Sequence, residues 1–411
     1  MIEKMNSSTS RGFSVFTVCN LAYLPKALVL AESLLRFENM KLKIYLFDKK
    51  LEVELPVSLA DFFWIEDLGR LDIRHLAFKY DITEFSTCLK PFIALSLLEF
   101  EERVIFLDPD TCLFDSLASI LSDLEEHPIV LTPHYTRPQP ESWPDTDIGM
   151  MRFGSFNLGF FAIAKCDQGL QFLRWWSDRC IRFGYFETQF GLSTDQKWVS
   201  IAPCFFPDLH VSFNMGYNVA FWNLQERVLE KVGDGQYRVN GKFPLIFFHF
   251  SSFDESNPAR LTKRPLPEEH RNREDLREII SFYNSALKSY AIQASKVKYG
   301  FDYMSNGDYI SPTLRRAYAC VAADLPADTD PFDAQGVVGK FVRRNHLKVK
   351  ASASYQPNGF DDIGNHKLAF KTIYFLMRLV LLLLGPNRFA NLSRLMVYLS
   401  SLRQNKGMWK V

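Results

Sequence analysis

Short apolar runs alternate with helix-forming stretches through the first third of this chain, and that alternation leaves few folds open. Phe13 to Val18, Leu42 to Phe47 and Phe62-Phe63-Trp64-Ile65 read as strands. Pro25 to Phe37, between the first two, reads as a helix with a proline in its first turn. Pro91 to Leu98 reads as helical again and leads into the apolar run Arg103 to Leu107. Strands that are apolar on both faces need cover on both faces. Strand–helix–strand order supplies it as a mostly parallel, Rossmann-like sheet flanked by helices. Ile129 to Thr132 and Phe160 to Ile163 add two more strands. No GxGxxG follows the first strand and no Walker A sequence occurs, so a phosphate would be held by metal and side chains rather than by a glycine cradle.

The run Val104-Ile105-Phe106-Leu107 ends in Asp108-Pro109-Asp110. In an extended segment residues i and i+2 point to the same side, so the two carboxylates are expected to converge on one cation. They stand at the carboxyl edge of the sheet, where open α/β folds bind their ligands. Two acids so close repel unless a cation offsets them. The plainer alternative is a strand that ends in a solvated acidic turn.

A chain of 411 residues is too long for one small core, which predicts a domain with substantial additions. Its 37 phenylalanines predict a large aromatic core, or surfaces that meet lipid or sugar. Seven cysteines (19, 88, 112, 166, 180, 204, 320) form no CxxC pair, so neither a zinc site nor a disulfide framework follows. The first residues lack the apolar core of a signal peptide, and a cytoplasmic protein is expected. From Lys340 onward thirteen basic residues face two acidic ones, a net +11. The chain total is +1, so the preceding residues carry −10. A basic tail on an acidic body predicts an anionic partner for the tail. Within it, Thr372 to Leu384 is apolar but too short to span a bilayer, and Gly385-Pro386 stops it. Phe389 to Leu402 follows with Leu392, Leu395, Met396 and Leu399 at helical spacing and arginines around them. Residues 372–411 are therefore expected to lie on an anionic membrane surface, peripheral on the inner face of the cytoplasmic membrane, or else to pack on the body as ordinary helices, with a true span as the remaining reading.

Several motifs recur in a telling order: Phe16-Thr17-Val18-Cys19-Asn20, Lys90-Pro91, Val104 to Thr111 with the DxD, Phe156-Asn157-Leu158-Gly159-Phe160, Asp195-Gln196 and Phe247-Phe248-His249-Phe250. Together they resemble the GT-A nucleotide-diphosphosugar glycosyltransferases, and in motif order glycosyltransferase family 8, over residues 12 to 262. The resemblance implies a GT-A fold and a metal-dependent hexosyltransferase. It would move a sugar from a nucleotide-diphosphate donor to a hydroxyl of a glycan or lipid-linked acceptor, with retention, in surface polysaccharide or lipopolysaccharide synthesis. It implies Mn²⁺ (or Mg²⁺) held by Asp108, Asp110 and His249, with Asp195 and Gln196 at the reacting face. It implies donor contacts from Lys90, Asn157 and Gly159, and base and ribose contacts from Asn20 and Asp48. Nucleic acid is not an expected partner.

The residues alone leave other readings open. Lys90 is otherwise an exposed helix-start residue, Asn157 and Gly159 a simple turn into a strand, and Asp195 a helix N-cap. The glycine-lysine element that follows the histidine in the family is replaced here by Phe250-Ser251-Ser252-Phe253-Asp254, which leaves Lys263 and Arg264 as substitutes. Asn214 to Asn223, rich in aromatics and amides, is expected to form an acceptor wall or, equally, a polar-aromatic loop packed against the core, and Pro138 to Asp147 a loop over the donor. The division expected is 12–265 for the transferase domain, 266–340 for a helical bridge and 341–411 for the basic apolar-helical region. An apolar strand followed by DxDT also opens haloacid-dehalogenase-like phosphatases, with Asp361-Asp362 as late magnesium ligands. A non-catalytic sugar-binding protein of the same fold is the remaining alternative.

Overall fold

Most of the apolar runs fold as buried strands because helices cover the sheet they build, while Phe62-Phe63-Trp64 at its edge is half-buried. The computed structural model describes residues 12–69, 72–139, 147–257, 259–271, 273–290, 293–349 and 367–410. The chain divides into two compact units, Met1–Leu71 with Ile82–Tyr299, and Asp72–Asp81 with Gly300–Val411.

The first unit contains β1 (Phe13–Cys19), β2 (Leu42–Leu46), β3 (Ala60–Trp64), β4 (Arg103–Leu107), β5 (Thr111–Leu113), β6 (Ile129–Pro133) and β7 (Phe156–Ala164). With the strand Leu209–Val211 they form a seven-stranded sheet in the order Leu209–Val211, β6, β7, β4, β1, β2, β3, from which β5 is excluded. β4, β1, β2 and β3 run parallel, and β7 runs antiparallel to both β4 and β6. The result is a mixed α/β fold with a mainly parallel central sheet flanked by helices. Helix Leu24–Glu38 joins β1 to β2, with Pro25 in its first two positions and Asn39 ending it in the left-handed region at φ 50°.

One helix differs from the sequence expectation in a way that matters for the site. It spans Ile82–Leu97 and runs straight through Pro91, instead of starting there. Its first half is held by buried Phe85, Cys88 and Leu89, and it packs along helix Asp167–Phe183. Lys90 is thereby a buried mid-helix residue, 6% exposed, and not a solvated helix start.

A second, three-stranded sheet places the carboxyl edge of β4 beside a strand far away in sequence. β5 pairs antiparallel with Phe247–His249 in the register Thr111 to His249, and that strand pairs parallel with Val219–Ala220. The backbone N–H of Phe250 donates to the Asp110 carbonyl at 2.8 Å and locks the junction. Beneath it, the Phe250 and Tyr283 rings stack with centroids 3.7 Å apart. Tyr283 sits on helix Arg277–Ser289, whose Ile279, Ile280 and Leu287 share a core with Cys112 and Phe248. This helix, assigned to the bridge from sequence, packs within the first unit.

The second unit turns on Arg315, which is 2% exposed. Its guanidinium donates to the carbonyls of Ala77 at 2.7 Å, Phe78 at 3.2 Å, Tyr80 at 2.6 Å and Phe301 at 3.1 Å. It also donates to Asp302 Oδ1 at 2.7 Å. An arginine serves because its planar fork of donors satisfies several buried acceptors at once. Arg315→Met leaves those carbonyls and Asp302 without their donor. It is expected to destabilise this unit by roughly 3–5 kcal/mol, read by chemical denaturation.

Lys367–Ser400 is helical on both sides of Gly385, whose φ of 73° and ψ of 166° break the helix where the sequence predicts a stop. By length and composition Phe370–Ser400 is long and apolar enough to cross a membrane, and none of it is buried. The break leaves two helical arms, each shorter than the roughly 20 residues of a straight span. Asp361-Asp362 lie outside the described residues.

Candidate active site

Asp108 and Asp110 converge, but not through extended geometry. Pro109 and Asp110 form a turn between β4 and β5 in which Thr111 donates to the Asp108 carbonyl twice, from its backbone N–H at 3.0 Å and its hydroxyl at 2.8 Å. The Asp108 N–H donates to the Gly159 carbonyl on β7 at 2.8 Å. His249 Nε2 stands 3.0 Å from Asp110 Oδ1 and 3.8 Å from Asp108 Oδ2. Ligand atoms of the three residues all lie within 4.8 Å of one another, the one such metal-ligating group among the described residues.

Burial by itself would push the Asp110 carboxyl up, but the His249 imidazole beside it holds it below the usual carboxylate range. Burial likewise works against a charged His249, and Asp110 and then Asp108 outweigh it, so the imidazole is held above its ordinary value. The ring is 4% exposed and packs edge-on against Trp222 at 5.1 Å. Two carboxylates and one imidazole nitrogen form an oxygen-rich donor set, which fits a divalent cation of the Mn²⁺ or Mg²⁺ kind.

Lys90 binds the next layer together. Its ammonium lies 3.0 Å from Asp108 Oδ1 and 3.7 Å from Asp195 Oδ2, and donates to the Leu158 carbonyl at 3.0 Å. Burial would lower its pKa, but Asp108 and Asp195 override that and raise it, so it stays charged. Asp195 takes the N-cap position of helix Gln196–Val199 without capping it. Its Oδ1 accepts from the Thr194 hydroxyl at 3.0 Å, while its buried Oδ2 accepts no hydrogen bond. Burial pushes this carboxyl up, against the pull of Lys90. That oxygen is shielded from solvent and faces the Lys90 ammonium.

The remaining predicted residues divide. Asn157 and Gly159 lie inside β7, not on a turn, because Phe156, Leu158 and Phe160 alternate with them into the core. The Asn157 side chain bonds to protein groups rather than standing free. Asn20 Oδ1 accepts from the Tyr23 N–H at 3.1 Å and Asp48 Oδ2 from the Leu21 N–H at 2.6 Å, so both hold the turn Leu21–Tyr23. Burial raises the Asp48 carboxyl to about 6, against that amide bond. Gln196 is tied away from the cluster, its amide donating to the Phe153 carbonyl at 3.2 Å. Lys263 and Arg264 are exposed. Of the two readings of Asn214 to Asn223, burial agrees with the packed one: Tyr217, Asn218 and Asn223 are buried at 0–1% exposure and Trp222 at 5%. Of the expected donor loop, residues 140–146 lie outside the described residues.

The sequence reading missed Tyr23 and Lys26, and put Asn218 in an acceptor wall rather than beside His249. Tyr23 is 43% exposed at the tip of the turn that Asn20 and Asp48 hold, and the Lys26 ammonium lies 4.4 Å from the centre of its ring. Lys26 also pairs with Glu255 at 3.3 Å. An aromatic three residues after a strand-end asparagine, followed by a lysine in the first helical turn, was the available signal. A cleft of about 490 Å³ lies beside β7, lined among others by Thr136, Arg137, Met150, Met151, Ser155 and Lys197.

No family model matches the chain. It is 31% identical over 177 residues to the uncharacterized protein YfnD of Bacillus subtilis (strain 168), a match covering 41% of this chain and 54% of YfnD. The chain thus spans about half the length of the curated relatives it matches. Among solved structures it is similar to the galactosyltransferase LgtC in complex with donor and acceptor sugar analogs, with TM-score 0.39 and 16% identity over 68% of this chain and 96% of that one. It is similar too to the glycosyltransferase GlyE of Streptococcus pneumoniae TIGR4, with TM-score 0.38 and 17% identity over 72% and 67% of the two chains. At these TM-scores the likeness decides nothing by itself, and the function is argued from the site.

Proposed function

We propose that the protein is a metal-dependent glycosyltransferase that takes a sugar from a nucleotide-diphosphate donor. One observation carries this reading: Asp108, Asp110 and His249 Nε2 meet at the carboxyl edge of β4 with Lys90 and Asp195 directly behind them. A divalent cation held by Asp108, Asp110 and His249 would stabilise the charge on the diphosphate as its bond to the sugar breaks. Lys90 bridges Asp108 at 3.0 Å and Asp195 at 3.7 Å, so the two side chains are held in place before a donor arrives. Asp195, paired with Lys90 behind the metal-ligating cluster, is the residue we assign to orienting the donor sugar. Exposed Tyr23 offers a face for a nucleotide base, and Lys26 a cation near the same edge.

Asp195 is held by Lys90 and Thr194, which suits orienting a sugar better than attacking it. The cleft beside β7, with Lys197 and Ser155 on its wall, is the place for an acceptor hydroxyl. Thermal-shift titration of nucleotide sugars with and without Mn²⁺ tests the reading. It predicts a shift for one donor class only when the metal is present, and a panel without any metal-dependent shift counts against it.

The acceptor we infer is a lipid-linked surface glycan, at the inner face of the cytoplasmic membrane. This is supported by the basic, unburied helical segment Phe370–Ser400. Leu382 and Leu383 are 78% and 77% exposed, so replacing both with glutamate costs the body no packing. The double variant is expected to leave the membrane pellet for the supernatant. Unchanged partitioning would reduce these helices to exposed ornament.

A further inference from the structure

A buried chain of hydrogen bonds fixes which nitrogen of His249 faces the carboxylates. Its direction follows from groups that have no choice. The Gly159 backbone N–H can only donate, and it lies 3.0 Å from one terminal atom of the Asn157 amide, which must therefore be the oxygen, Oδ1. The same oxygen lies 3.0 Å from the Asn218 amide, so the Asn218 atom facing it must be the donor nitrogen. The other hydrogen of that nitrogen reaches the Thr132 hydroxyl at 3.1 Å. The Asn218 oxygen then faces His249 Nδ1 at 3.1 Å, and two acceptors cannot share a bond, so Nδ1 carries the proton. Nε2 is left as the nitrogen directed at Asp110 and Asp108.

Asn218 is itself held in place. It sits in the left-handed region at φ 52° and is 1% exposed. The Arg227 guanidinium donates to the carbonyls of Tyr217 at 3.1 Å and Asn218 at 3.2 Å, and the Asn223 amide donates to the Asn218 carbonyl at 3.0 Å. Few residues other than asparagine and glycine adopt that backbone readily, and only asparagine also brings an amide that donates one way and accepts the other.

We propose that Asn218 is a positioning residue that sets the tautomer of His249, through the relay Gly159–Asn157–Asn218, and so sets the affinity of the site for a divalent cation. The proposal rests on the metal-site reading above. It assigns to Asn157 a role in orienting a ligand rather than in touching the donor.

The test is calorimetric titration with MnCl₂ alone, without donor or acceptor. Asn218→Gly keeps the left-handed backbone free of strain and removes the acceptor for Nδ1–H together with the donor to Asn157 and Thr132. It should bind Mn²⁺ about 10–100-fold more weakly than the wild type, the range for loss of a group that orients a metal-bound histidine. Asn218→Asp keeps an acceptor for Nδ1–H but loses the donor to Asn157 and Thr132, and should recover part of that loss. Equal affinity for Asn218→Gly and wild type overturns the proposal, and so does equal weakness of both variants, which would mean the effect is packing. A wild type that takes up no Mn²⁺ removes the metal-site reading and the relay with it. A measurement on the unaltered protein covers the case in which Asn218→Gly does not fold. In the wild type loaded with diamagnetic Cd²⁺, nitrogen NMR of His249 should show the proton on Nδ1 and the metal on Nε2, and the reverse assignment refutes the relay.

Discussion

Replacing Asp110 with asparagine is expected to abolish turnover while leaving the fold intact. Asparagine has the same shape, but it removes the carboxylate that stands 3.0 Å from His249 Nε2. Loss of a direct ligand should weaken Mn²⁺ binding by more than the 10–100-fold that outer-layer changes cost. A cation's stabilisation of a departing diphosphate is worth several kcal/mol, and each 1.36 kcal/mol is tenfold, so donor cleavage should fall by at least about 10³-fold. The metal-free protein adds a pH signature. The folded Asp110 pKa is lowered from 3.8, so its contribution to stability is present above that value and is lost as pH falls through the folded pKa. The folded His249 pKa is raised from 6.5, so its contribution is full below that value and is lost as pH rises through the folded pKa. The pair therefore stabilises the metal-free protein most between about 4 and 6.5. Denaturation across pH should show this maximum for the wild type, and Asp110→Asn should flatten it.

Gly159→Ala is expected to be nearly as damaging, for a steric reason. A Cβ on residue 159 would lie 2.4 Å from His249 Cε1, 2.7 Å from its Nδ1 and 2.8 Å from Asn157 Oδ1. None of these is the free end of a flexible side chain. The ring is pinned by Asn218 and by its strand, and Asn157 Oδ1 holds two hydrogen bonds. The methyl group must displace the imidazole or bend β7. Overpacking of this kind costs about 1–3 kcal/mol of stability, readable in a denaturation curve. The larger effect should be on the metal, with MnCl₂ titration showing at least about a tenfold loss. Wild-type affinity in Gly159→Ala would mean that the ring has room to move.

The same glycine shows how the sequence could be right about a position and silent about its cause. Gly159 reads as a donor contact or a turn glycine, and what packs closely against it is the His249 ring. Asp108 and Asp110 are legible because they end an apolar strand, and end-of-strand acids are local information. That they converge through a turn was not legible, because Asp-Pro-Asp fits a turn as well as an extended edge.

Lys90 was legible as a residue and misplaced as an element. A proline invites a helix start, yet buried Phe85, Cys88 and Leu89 carry the helix past it and draw the lysine into the core. His249 is legible as a strand-end histidine, whereas its meeting with Asp110 depends on the register of β5 against Phe247–His249. Pairing between segments more than a hundred residues apart leaves no local trace. Asn218 was hidden for the same reason: among Tyr217, Trp222 and Asn223 it resembles a sugar-binding wall, and only the fold turns it toward His249.

The central claim is that this site breaks a nucleotide–sugar bond with the help of a cation held by Asp108, Asp110 and His249. The most direct measurement is release of nucleoside diphosphate from a panel of nucleotide sugars by wild type and Asp110→Asn, each with Mn²⁺ and with a chelator. The account predicts release from one donor by wild type with Mn²⁺, and none above background in the other three conditions. Release that persists in the chelator or in Asp110→Asn would contradict it.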